Sequence, residues 1–129
     1  MKLFLSTVML AASFGLSAQK VDSRYFELRI YYCYPGRLDA LIERFQNHTT
    51  KIFEKHGMEN IGYWVSKETP NTLIYIVAHK SQDSAKASWD AFRKDPVWIK
   101  ARDASEAGGK IVDKVTSVFM DPVDFSKIK

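Results

Sequence analysis

The chain has one cysteine, few prolines and glycines, and no long apolar segment after its first residues. Cys33 is the only cysteine among 129 residues, so no disulfide can form within the chain. A free cysteine in a strand is usually a small packing residue, and the alternatives are a reactive thiol or an intermolecular disulfide. No segment beyond the N-terminus approaches the roughly 20 apolar residues of a transmembrane helix. The sequence therefore predicts neither a disulfide-stabilised scaffold nor a membrane span.

An excess of charge of one sign is also missing. The chain has 19 Lys and Arg against 15 Asp and Glu, a formal net charge of +4, and the two signs are interleaved. Nucleic-acid-binding domains concentrate basic residues, so no nucleic-acid partner is expected. The chain lacks a G-x-S-x-G motif, a glycine-rich phosphate loop and a His-x-x-x-His or His/Cys cluster. These absences disfavour nucleophilic hydrolysis, nucleotide binding and a dedicated metal site, and no cofactor is predicted.

Residues 1–18 have the pattern of a secretory signal peptide. An early cation, Lys2, precedes an apolar run from Leu3 to Leu16, and small residues follow it. The run is too short to cross a bilayer core of about 30 Å comfortably, which favours a cleaved leader over an anchor. We expect an exported protein, periplasmic or extracellular, with cleavage after Ser17 or Ala18.

The first predicted strand is the β-prone run from Tyr25 to Cys33, which Pro35 and Gly36 end. Side chains alternate between the two faces of a strand, so its residues fall into two sets. One set is Phe26, Leu28, Ile30 and Tyr32; the other is Glu27, Arg29, Tyr31 and Cys33.

The remaining elements follow from helical spacing, turn residues and helix caps. We predict a helix over Arg37–His56, strands over Glu59–Ser66 and Thr72–His79, a helix from Ser81 or Asp83 to Arg93, a further helix restarting at Asp95 and Pro96, and a last strand over Ile111–Met120. The order βαββαβ is ferredoxin-like: an α+β domain over residues 24–122, with helices on one face of an antiparallel sheet. Residues 123–129 are predicted to be a loose tail.

Both faces of the predicted sheet carry apolar residues. In the second strand Ile61, Tyr63 and Val65 alternate with Trp64, and the third strand is apolar at nearly every position. A sheet with one face in water would alternate more cleanly, and the helices can cover only one face. We therefore expect a second copy of the chain on the other face, as a homodimer.

Three groups of residues carry a family resemblance. They are Phe26-Glu27-Leu28-Arg29-Ile30-Tyr31 with Pro35-Gly36-Arg37, then Gly62-Tyr63-Trp64, then Trp89 with Asp95-Pro96-Val97-Trp98. With these motifs the mature chain resembles the NIPSNAP family, in the dimeric α+β barrel group of ferredoxin-like domains. The resemblance implies two subunits whose sheets face each other, with Glu27, Arg29 and Tyr31 at the dimer interface or in its cavity. It implies no known reaction, although more distant barrel relatives include small monooxygenases and haem-degrading enzymes.

Two groups of polar side chains are candidates for function. Glu27 and Arg29 share a strand face, so they can form a structural ion pair. Alternatively, Arg29 donates to an anionic or carbonyl group of a ligand, with Glu27 and Tyr31 orienting it. His48 lies on the apolar stripe of the first helix, so it is predicted to face the sheet, either as a core histidine or for proton transfer or haem contact. His79 is predicted to be a surface turn residue.

The tryptophans Trp64, Trp89 and Trp98 are either packing residues or the lining of a pocket for a flat apolar ligand. The leading hypothesis is an exported homodimer that binds a small apolar ligand or a protein partner. The alternative is a cofactor-independent monooxygenase or haem-related oxidoreductase with its pocket near His48, Trp64 and Trp98. A third hypothesis makes the dimer a docking module for another protein.

Overall fold

The computed structural model describes residues 23–129, so the predicted leader lies outside the described residues. The strands are β1 (Tyr25–Cys33), β2 (Glu59–Val65), β3 (Thr72–His79) and β4 (Val112–Met120), and the helices are α1 (Leu38–Arg44), α2 (Thr50–Lys55), α3 (Gln82–Lys94) and α4 (Pro96–Ser105). All neighbouring strands are antiparallel, in the order β2-β3-β1-β4. This is the predicted ferredoxin-like α+β fold, and the fold class is confirmed.

Local signals set the helix ends. Ser81 is the N-cap of α3, because its side chain accepts a hydrogen bond from the backbone N–H of Ser84. Asp95 caps α4 in the same way, accepting from the N–H of Val97 ahead of a proline at the first helical position. Gly57 ends α2 with a φ of 79°, a conformation that costs glycine little.

The first helical region is interrupted by a π-helical turn, Phe45–Thr49, between α1 and α2. Such a turn leaves backbone carbonyls without their α-helical partners, and two threonine hydroxyls compensate. Thr49 Oγ1 donates to the carbonyl of Arg44, and Thr50 Oγ1 donates to the carbonyl of Phe45. The wider turn directs Thr49 into the core and leaves His48 exposed. The prediction that His48 faces the sheet is therefore wrong.

The core lies between the helices and one face of the sheet, and aromatic side chains dominate it. Its buried members include Leu41, Phe45, Phe53, Met58, Tyr75, Val77, Trp89, Phe92 and Ile111. Their rings meet largely edge-on or tilted, as in the contact of Phe53 with Trp89 at 5.4 Å. Cys33 packs against this cluster, and burial raises the pKa of its thiol, which fits the packing interpretation.

The opposite face of the sheet, which we call the open face, is covered by none of the helices in residues 23–129. At its centre Leu28 and Ile30 of β1 lie opposite Ile76 and Ile74 of β3. Trp64 of β2 and Val118 of β4 extend this apolar surface to both edges, and about half of each side chain is exposed.

The C-terminal residues 123–129 form no helix or strand, yet they contact the domain. Arg24 Nε donates to the carbonyl of Lys129 at 2.6 Å. Ile128, Phe26, Ile61 and Ile76 line a small apolar cavity at one end of the open face. Among residues 23–129 no helix is both long and apolar enough for a membrane crossing.

Candidate functional site

Glu27 is the hub of a buried polar cluster between the sheet and α3. Its side chain is 1% exposed and accepts four hydrogen bonds, from His79 Nε2 at 2.9 Å, Trp89 Nε1 at 2.7 Å, Arg29 Nη1 at 2.8 Å and Ser117 Oγ at 2.8 Å. Burial opposes ionisation, but these hydrogen bonds prevail and lower the pKa of Glu27 to about 2. The carboxylate is thus a fixed negative charge at neutral pH, and it is no source of protons.

Arg29 extends the cluster along β1. Its guanidinium lies over the Trp89 ring, 4.3 Å from the centroid, and its Nη2 donates to Tyr31 Oη at 3.4 Å. The Tyr75 hydroxyl in turn donates to Tyr31 Oη at 3.1 Å, and burial raises the pKa of Tyr75 well above its usual value, so this phenol stays protonated. The Arg29 side chain is 14% exposed, and its Nε has no hydrogen-bond partner among the described residues.

The structure brings Glu27, Arg29 and Tyr31 together, as predicted, but on the helix-covered face. Their hydrogen bonds to Trp89 and Tyr75 lie within one protomer. The expected location at a dimer interface formed by facing sheets is therefore wrong. His79 was expected at the surface, yet its side chain is fully buried on Glu27. The sequence pattern offered no signal for this, because strand alternation does not reveal which face the helices cover.

A cavity of about 300 Å³ opens between α3 and β4 beside this cluster. Trp89 forms the link between the two, since its indole N–H binds Glu27 while the residue lines the cavity. Phe119 and Tyr25 provide further aromatic walls, stacked on each other with ring centroids 5.2 Å apart. The polar residues lining the same cavity are Gln82, Lys86, Asp90 and Arg93. We call this space the α3/β4 cleft.

The residues proposed for an oxidoreductase pocket are not assembled into one. His48 lies on the outer side of the first helical region, where it lines a different cavity, next to α4. Trp98 packs on Phe92 with ring centroids 4.6 Å apart, while Trp64 lies on the open face across the sheet. The predicted grouping of these three residues is therefore wrong. Within residues 23–129, no group of three or more His, Cys, Asp or Glu side chains could hold a metal ion.

A second buried carboxylate has a structural role that its position explains. Asp95, between α3 and α4, accepts hydrogen bonds from Lys55 Nζ at 2.8 Å and His56 Nε2 at 2.6 Å in addition to its capping bond. These contacts lower the pKa of Asp95 and fix the end of α2 against the start of α4. Its hydrogen-bond partners Lys55, His56 and Val97 all lie in helices or at helix ends, so Asp95 holds helices together.

Comparison with known proteins shows which chains share this architecture. A family model described as NIPSNAP matches residues 26–127. A NIPSNAP family protein of unknown function from Agrobacterium tumefaciens is 22% identical, with a TM-score of 0.72 over 84% of this chain and 96% of that chain. An uncharacterised NIPSNAP domain protein from Burkholderia xenovorans is 19% identical, with a TM-score of 0.68 over 79% and 97% of the two chains.

A putative antibiotic biosynthesis monooxygenase from Chloroflexus aurantiacus is more distant. It is 18% identical, with a TM-score of 0.57 over 83% of this chain and 100% of that chain. No curated protein matches the sequence. At these identities the structural likeness concerns the fold, so the site has to be interpreted from its own residues.

Proposed function

The chain belongs to the NIPSNAP family, and we propose that it acts as an exported homodimer that binds a small, flat, apolar ligand in the α3/β4 cleft. The observation that carries the proposal is the double role of Trp89, which lines the cleft and is fixed by its hydrogen bond to the buried Glu27 carboxylate. An aromatic wall whose orientation is set in advance binds a planar ligand without first losing side-chain freedom.

The composition of the cleft supports a ligand with a planar apolar body. Phe119 and Tyr25 offer ring surfaces beside the largely buried Trp89, and Phe119 is 49% exposed although it points toward the helices. An aromatic side chain left that exposed beside a cavity favours occupancy by an apolar group. Arg93 and Lys86, which also line the cleft, can contact a polar substituent of the ligand, although both lie within 4 Å of Asp90.

The dimer is supported by the open face. Leu28, Ile30, Ile74, Ile76 and Trp64 form a continuous apolar surface there. Continuous apolar patches of this kind are typical of interfaces, and an identical copy can cover the same patch on both subunits by two-fold symmetry.

Export is supported by the pattern of residues 1–18 alone. It is tested by expressing the full chain and measuring the mass of the mature protein, which shows where the N-terminus begins.

The first experiment is a native mass spectrum of the mature protein, which reports subunit number and any retained small molecule together. A dimer with additional mass supports both parts of the proposal. A monomer at micromolar concentration contradicts the homodimer.

The cleft itself is tested by titration with 2-naphthol, an uncharged planar probe, followed by protein-detected NMR. Phe119→Ala should weaken binding about tenfold, since one buried aromatic contact is worth roughly 1–2 kcal/mol. Val118→Ala is the matched control, because Val118 is equally exposed but points to the other face of the same strand. Equal effects of the two substitutions, or no saturable binding, would contradict the α3/β4 cleft as the site.

The oxidoreductase alternative finds no comparable support in the described residues. Its pocket required His48, Trp64 and Trp98 in one place, but Trp64 lies on the opposite face of the sheet from the helices that carry His48 and Trp98. Oxygen uptake with an apolar hydroquinone that is lost on substitution within the α3/β4 cleft would support an oxidoreductase, but one with its pocket in this cleft and not near His48.

A further inference from the structure

A second cavity, of about 340 Å³, lies between the first helical region and α4, away from the α3/β4 cleft. Its polar lining comes from Glu43, Arg44, Asn47, His48 and Ser105. Asn47 and His48 lie within the π-helical turn and Arg44 directly precedes it, and such turns are frequently located at functional sites in other proteins.

Arg44 is the residue that makes this cavity unusual. Its side chain is 4% exposed, and its one ion pair within 4 Å among residues 23–129 is with Glu106, at 3.6 Å. Its Nη1 donates to Ser105 Oγ at 3.2 Å, and its guanidinium lies 5.0 Å from the centre of the Trp98 ring. The Nε atom is buried without a hydrogen-bond partner among residues 23–129.

A buried guanidinium with an unused donor carries an energetic cost that an oxyanion at the cavity would offset. Burial is also the main reason why the pKa of Arg44 is lowered from its usual value. Ser105, Glu106 and the Trp98 ring hold the Arg44 guanidinium in place at the cavity. Arg37 Nη2 donates to the carbonyls of Ser105 and Gly109, which fixes the end of α4 against the first helical region.

The acidic residues near Arg44 restrict the charge of a ligand. Glu43 lines the cavity and Glu106 lies beside Arg44, and both are at least partly exposed. These two carboxylates would repel a doubly charged phosphate more strongly than they would repel a singly charged carboxylate ligand. An arginine fork matches a carboxylate in geometry as well as in charge.

We propose that this cavity binds the carboxylate group of a small organic acid, with Arg44 as the charged donor and with Asn47 and His48 contacting the remainder of the molecule. The site is separate from the α3/β4 cleft, so it stands or falls independently of the ligand proposed there. The cavity volume is in the range of small-molecule sites, which limits the ligand to a small acid.

The test follows the Arg44 Nε–Hε resonance by NMR while sodium propionate is added to the mature protein, with sodium chloride at equal ionic strength as the reference. We expect a saturable downfield shift of this proton with propionate, and a smaller one with inorganic phosphate. A shift that chloride reproduces, or the absence of saturation at millimolar propionate, would overturn the proposal.

Two variants separate binding from folding. Arg44→Lys removes the fork and should weaken propionate binding about tenfold, measured by calorimetry. Ala104→Leu leaves Arg44 intact but fills the exposed side of the cavity, and it should weaken binding at least as much while the protein stays folded. Arg102→Lys, on the same helix but paired with Asp103, is the matched control and should bind as the natural protein does. Unchanged affinity in Ala104→Leu would disprove this location.

Discussion

Strand β1 has polar side chains on its helix-covered face and apolar side chains on its open face, which is the reverse of most strands with one face in solvent. The helix-covered face receives Glu27, Arg29 and Tyr31, whereas the open face presents Leu28 and Ile30. In an ordinary antiparallel sheet the covered face is apolar and the solvent face polar. Charges are tolerated under the helices here because each is paired and hydrogen-bonded inside the protomer, whereas no helix of residues 23–129 covers the apolar side chains of the open face.

The contrast separates two kinds of stabilisation. On the covered face the cost of desolvating Glu27 is offset by four specific donors, so the gain depends on exact geometry. On the open face the gain comes from area alone and is realised only when another surface is present. Substitutions on the covered face should therefore lower the free energy of unfolding of the protomer, whereas substitutions on the open face should weaken the proposed association.

The largest effect is expected from a charge at the centre of the open face. Ile30→Asp should abolish the proposed dimer, since a carboxylate buried between two sheets has no partner there. The protomer should stay folded, because residue 30 lies outside the helix-covered core. Sedimentation equilibrium measures the mass, and circular dichroism checks the fold. Val97→Asp, at an exposed apolar position on α4, is the control. A dimer that survives Ile30→Asp would show that the open face is not the interface.

The next largest effect is expected on the covered face. Glu27→Gln keeps the shape of the side chain but removes the charge that balances Arg29, so the free energy of unfolding should fall by about 3–5 kcal/mol. Urea denaturation measures the change. The control is Glu59→Gln, which breaks the exposed ion pair with Arg24 and should cost no more than about 1 kcal/mol. Equal costs at the two positions would mean that burial of the pair contributes nothing.

The order of the elements was predictable because strand alternation, helix caps and glycine stops are local. Ser81, Asp95 and Gly57 act as the sequence indicates. The position of His48 was not predictable in the same way, since a single π-helical turn changes which side chains face inward. A clue was present in the consecutive threonines Thr49 and Thr50, whose hydroxyls satisfy the carbonyls displaced by that turn.

The candidate site was predictable only in part. Alternation correctly grouped Glu27, Arg29 and Tyr31, but it could not assign the group to the covered face. That assignment depends on contacts with Trp89 and His79, more than 50 residues away along the chain. Arg44 was missed for a similar reason, because nothing local distinguishes a buried arginine on a helix from an exposed one.

The buried Glu27 carboxylate on the covered face should make the free energy of unfolding depend on pH. The pKa of Glu27 is about 2 in the folded protein, below its unfolded value of 4.5, so the stabilisation is present above pH 4.5 and is lost as the pH falls toward 2. The difference of 2.5 units corresponds to about 3 kcal/mol. Denaturation of the natural protein and of Glu27→Gln at several pH values measures it. The two curves should converge at low pH, and a constant gap would contradict the assignment.

The smallest effect is expected at Gly62, which belongs to the open face through its contact with Trp64. A Cβ placed at residue 62 would lie 2.5 Å from Cη2 of the Trp64 ring, so Gly62→Ala must displace that ring. Because Trp64 is 53% exposed, its ring can move into solvent, and the protomer should lose no more than about 1 kcal/mol. The displaced ring should nevertheless weaken the proposed dimer, which a dilution series can detect. In a Trp64→Ala background the same glycine substitution should have no effect on dimerisation, and a persistent effect there would show that Gly62 acts through the backbone.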